Sequence, residues 1–146
     1  MTILTSKFDV LRGWTPGGDA GIDQSIPPRV IANVPVSLPA GLLVVLRSDS
    51  TVDVPAALDA NWKPYYVVAS GNNDLDAQYV GKVVCLRGKL TIRTDKLAAA
   101  QTFPVAGPVA VDTAGMLVDA GANHRVGYVL ANNVATNGTI DVELDI

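Results

Sequence analysis

Apolar positions along this 146-residue chain either alternate with polar ones or gather into runs of about five, and turn residues separate them. From Arg29 onward, Val30, Ala32, Val34 and Val36 fall on one face, while Pro35 restricts that strand to an edge or a bulge. Residues 42–46 and 65–69 are continuous apolar runs, short enough for strands covered on both faces. Between them, 47–63 reads as a loop with one helical turn over 55–59. Residues 81–94 predict a hairpin turning at Arg87-Gly88, with Val83, Cys85, Leu90 and Ile92 on its buried face and Lys82, Lys89, Thr91 and Arg93 on the other. Residues 95–101 read as a turn or short helix, and Val109-Ala110-Val111 and Met116-Leu117-Val118 flank Asp112-Thr113-Ala114-Gly115 as a second hairpin. A strand over 125–131 and a Gly/Asn loop over 132–139 lead to a strict period-2 strand at 140–146. That strand turns its apolar set inward and Asp141, Glu143 and Asp145 outward, acids that would guard an edge.

Composition sharpens the class. There are 21 valines and 10 threonines against five lysines and a single glutamate, Glu143. β-branched residues suit a pleated surface, and the usual solvent face of a helix is nearly missing. With 13 glycines and 9 prolines as punctuation, the expected architecture is all-β: a single small β-barrel or β-sandwich domain over 29–146, with an extended N-terminal arm over 1–28. The arm contains Gly13-Trp14-Thr15-Pro16-Gly17-Gly18, a poor ladder former, and carries Phe8 and Trp14 as large anchors. A neighbouring chain is expected to hold it.

A net charge of −3 at pH 7 and a pI of about 4.9 exclude a strongly basic nucleic-acid binder. One cysteine excludes a disulfide framework and a Cys-rich zinc site. The first residues show no basic-then-apolar leader, and no apolar run reaches the roughly 18 residues of a membrane span. No cofactor or membrane is expected.

Candidate chemistry is thin. Cys85 lies mid-strand on the expected core face and reads as a small hydrophobe. His124, the one histidine, follows a turn, and no serine stands in a Gly-x-Ser-x-Gly elbow to use it. Asp141, Glu143 and Asp145 form a straight ladder, whereas calcium wants oxygens converging from a loop. Asp112-Thr113-Ala114-Gly115 is one residue away from an Asp-Thr-Gly protease turn, with Ala114 where the glycine would stand. The glycine-rich arm lacks the Gly-Lys-Ser/Thr of a phosphate cradle. Lys82, Lys89 and Arg93 form a modest basic stripe.

Three short motifs resemble those of the trimeric dUTPase family: Ala20-Gly21-Ile22-Asp23, Arg47-Ser48-Asp49 and Asp76-Ala77-Gln78-Tyr79-Val80-Gly81. Asp49 stands in place of the family's phosphate-loop glycine and Val80 in place of its arginine, and both departures oppose a triphosphate. The alternative function implied is a dUTPase-like nucleotide hydrolase or its inactive descendant.

The second resemblance covers roughly 80–146. Gly107-Pro108-Val109-Ala110-Val111, the segment 112–118, Val126-Gly127-Tyr128-Val129-Leu130-Ala131 and the ending over 135–144 are similar in composition and rhythm to decoration (cement) proteins of tailed-bacteriophage capsids. It implies a non-enzymatic virion protein on the outer capsid surface. Such a protein forms homo-oligomers, trimers above all, with the major capsid protein as partner. The expected contact residues are Phe8, Arg12, Trp14 and Arg29, with Lys82 and Arg93 as secondary ones.

Overall fold

A computed structural model describes residues 7–14, 24–31, 34–55, 64–70 and 82–146. It is all-β, with two main sheets. The six-stranded antiparallel sheet runs in the order β1 (Phe8–Trp14), β9 (Lys89–Thr94), β13 (Thr139–Asp145), β12 (Gly127–Asn133), β10 (Pro108–Val111), β11 (Leu117–Asp119). The five-stranded sheet runs β2 (Gln24–Ile26), β8 (Val83–Leu86), β7 (Tyr65–Ser70), β5 (Leu43–Leu46), β6 (Val52–Asp53). A small hairpin joins β3 (Val30–Ile31) to β4 (Val34–Pro35), and one helical turn, α1 (Val134–Asn137), connects β12 to β13.

The continuous apolar runs are explained by a sheet buried on both faces. On β5 and β7, Leu43, Tyr65 and Val67 point into a larger core against Leu90, Ile92, Ile140, Val142 and Leu144 of the six-stranded sheet. Their sequence neighbours Val44, Tyr66 and Val68 point the other way, into a second core with Val83 and Cys85. Ile26, Leu38, Leu42 and Val52 close that second core. A two-residue side-chain period thus feeds two cores from one strand.

The expected hairpin over 81–94 is overturned. β8 and β9 do not pair; they belong to different sheets, and the chain turns a corner between them at Arg87-Gly88. Val83 and Cys85 enter the smaller core and Leu90 and Ile92 the larger one. The reason is competition for edges: β9 is already flanked by β1 and β13. Gly88, at φ +115°, exchanges hydrogen bonds with Ile146 (N to O, 2.8 and 3.2 Å), which extends the β9–β13 ladder instead.

Three further expectations change. β13 does turn Ile140, Val142 and Leu144 inward, but it lies inside the sheet between β9 and β12 and guards no edge. The alternating run from Val30 folds back on itself, with Val30 opposite Pro35 and Ile31 opposite Val34. The 132–139 loop contains the turn of α1. The small hairpin around Asp112 forms as expected, with Val111 opposite Leu117. Residues 56–63, where the helical turn was expected in part, lie outside the described residues.

The expected boundary at residue 28 leaves two strands on its N-terminal side, each hydrogen-bonded into a main sheet. Within 7–14, the strand is held by the chain's own β9. Phe8 lies opposite Thr94 and packs against the larger core. Lys7 ties the strand's start, its backbone N–H donating to Asp95 Oδ2 (3.3 Å) and its Nζ to the Asn137 carbonyl (2.7 Å).

Candidate partner-binding surface

The segment entering β10 runs back along β12 and makes a tight turn there. Phe103 is buried in the larger core, and its carbonyl accepts from Asn132 Nδ2 (3.0 Å). Gly107 N–H donates to the Pro104 carbonyl (2.8 Å), Ala106 N–H to Val129 (2.8 Å), and Val129 N–H to Gly107 (2.9 Å). Ala106 sits at φ +68°, a left-handed conformation that favours glycine. The surrounding bonds hold it there, so local strain is retained in a rigid turn. The outcome is that Val105 stands outward, 63% exposed.

Open depressions flank this turn on both sides. One, of about 710 Å³, is lined by Ala106, Pro108, His124, Arg125, Tyr128 and Asp145 among others. The other, of about 340 Å³, is lined by Phe103, Pro104, Asn132 and Val134 among others. Tyr128 is 42% exposed and Val134 45% exposed. Tyr128 does not swing freely, because its hydroxyl donates to Glu143 Oε2 (2.8 Å). Beneath it, Gly127 leaves no room for a side chain: a Cβ there would run into the Glu143 carbonyl oxygen. The strip therefore has apolar knobs in its centre and His124, Arg125 and Asp145 at its rim, the anatomy of a protein-protein contact.

The residues singled out by sequence lie outside this strip. Phe8 serves its own core. Arg12 and Trp14 are placed on β1 by backbone register, opposite Thr91 and Lys89. Arg29 Nε lies 2.7 Å from Asp53 Oδ2, and the Arg29 backbone is bonded to Val52 and Val36. Because Asp53 is buried, its charge needs that neighbour. Lys82 is exposed where the chain enters β8, on the other sheet from Arg93 and Lys89, so no single basic stripe exists. Arg93 is occupied by a two-pronged contact with Asp141, Nε to Oδ1 at 2.8 Å and Nη2 to Oδ2 at 3.0 Å. Those hydrogen bonds, the Asp141 charge and the more distant Asp9 raise its pKa further.

The remaining candidates are structural. Cys85 is fully buried in the smaller core. Asp112 Oδ1 accepts from the N–H groups of Ala114 and Met116 (both 2.9 Å) and closes its hairpin. In the β5–β6 turn, Asp49 Oδ1 accepts from the Thr51 hydroxyl (2.6 Å) and N–H (3.1 Å). Those bonds hold the Asp49 carboxyl below the usual range and build a turn, not an anion cradle. The motif residues 20–23 and 76–81 lie outside the described residues. Among the described residues, no three His, Cys, Asp or Glu side chains group to hold a metal, and no helix is long and apolar enough to cross a membrane.

Sequence reasoning passed over 102–106 and took Gly107 only into the resemblance. The available signal was Pro104-Val105-Ala106-Gly107, a proline-to-glycine turn with an apolar residue inside it. Comparison with protein-family models, with curated proteins and with solved structures returned no match.

Proposed function

We propose that this chain is a structural binding module, a decoration protein on the outside of a tailed-phage head that stabilises contacts between major capsid protein subunits. The observation that supports this best is the strip along β12, where a rigid, strained turn presents Val105 between two open depressions. Pre-organised apolar knobs lose little freedom on binding, so they contribute more of their burial to affinity. The resemblance over 80–146 covers the same strip. The basic residues first expected to make contact are less suited, since Arg29 and Arg93 already satisfy acids of their own chain. Oligomers, trimers above all, follow from the resemblance and belong to the same reading.

The test is cosedimentation of the purified protein with phage shells that lack it. Binding should saturate at a simple ratio to the shell subunit, and Val105→Asp should lose it with no change in melting temperature. Undiminished binding of Val105→Asp rules out the strip; no binding of the unaltered protein rules out the decoration role.

A further inference from the structure

The turn of α1 carries an arrangement the docking strip does not use. Asn137 is followed by Gly138, both exposed at the end of a four-residue helix with no buried residue. The Asn137 side-chain oxygen accepts two hydrogen bonds from one neighbour, from the Thr139 N–H (3.1 Å) and from the Thr139 hydroxyl. Thr139 itself is buried, at 1% exposure, so both donors are fixed. Two fixed donors on one carbonyl oxygen are what stabilises negative charge there when a nucleophile adds to the carbon. The nearest nucleophile in sequence is the Gly138 backbone nitrogen, which carries no side chain to hinder it. Its N–H is engaged by the Val134 carbonyl (3.1 Å), the bond that caps the turn and that fraying must break.

We propose that Asn137-Gly138 is a self-modifying site, at which the Thr139 donors promote spontaneous cyclisation whenever α1 frays. The Gly138 nitrogen, losing its proton to solvent, bonds to Asn137 Cγ. The Cγ–Nδ2 bond breaks and, with a proton from water, ammonia leaves. Water then opens the five-membered imide to aspartate or isoaspartate. No oxidant, metal or second protein takes part. One-turn helices without buried side chains open readily, so the restraint is weak while the donors persist. The product places a new carboxylate where Lys7 Nζ meets the Asn137 carbonyl, and the isoaspartate form adds a backbone atom at the entrance to β13.

The experiment incubates the folded protein at neutral pH and follows intact mass and peptide maps, beside a synthetic peptide spanning 132–141. The folded protein should gain about 1 Da at residue 137, faster than the peptide does. Thr139→Val should slow the gain roughly fivefold, the worth of one net hydrogen bond. Thr139→Ser, which keeps the hydroxyl, should restore it. The proposal is overturned if the folded protein is no faster than the peptide, if Thr139→Val reacts at the unaltered rate, or if Thr139→Ser is as slow as Thr139→Val.

Discussion

Gly127 shows how much a single residue can owe to a neighbour remote in sequence. The Glu143 carbonyl occupies the place where a Cβ would stand, so Gly127→Ala must push β12 away from β13 or distort both. The expected loss is about 2–4 kcal/mol, read as a lower urea midpoint, and an unchanged midpoint would mean that the two strands separate at no cost. The sequence placed this glycine in a strand over 125–131 but could not show what it faces. Phe8 makes the complementary point: its size marked it as an anchor, and the structure supplies the anchorage, the larger core of its own domain. Arg93 was legible as a surface cation; its bidentate partner 48 residues away, Asp141, was not.

At the level of elements, local alternation was read correctly and partnership was not. The faces of β13 came out as the pattern predicted, because a period of two is intrinsic to an extended backbone. Its position in the sheet did not, since edge and interior strands can carry the same alternation. The corner at Gly88 is the sharper case: each strand had its expected inward residues, but the pairing between them depended on whether β9 had a free edge. β1 takes one of those edges. Removing residues 1–14 should therefore uncover β9 and strip Phe8 from the core, lowering the melting temperature by about 10 °C or more. A truncated protein that melts like the full chain would show that β1 merely lies against the sheet.

For the molecule as a whole, the five-stranded sheet is the shared wall of two cores. Val67 and Val68 are adjacent in sequence, both fully buried, and point into different cores. Val67→Ala and Val68→Ala should each cost about 1–3 kcal/mol. Unfolding should remain one transition in both variants, because neither core can be lost while the common wall stands. Resolved transitions, seen by calorimetry, would mean that the smaller core opens independently. β5 and β7 have both faces covered by the chain itself, whereas the strip proposed for docking, along β12 and its entering turn, lies on the other sheet.

The sequence by itself determined the all-β class, the alternation of β13, the small hairpin at Asp112 and the structural nature of Cys85. Each follows from local rules, namely the two-residue period, β-branched composition and turn chemistry. Tertiary structure alone decided which strands pair, that one sheet serves two cores, which acids Arg29 and Arg93 neutralise, and that the 104–107 turn stands out while Phe8 turns in. Those outcomes depend on competition among edges, faces and charges far apart in the chain. A residue's own neighbours in sequence carry no record of who wins that competition.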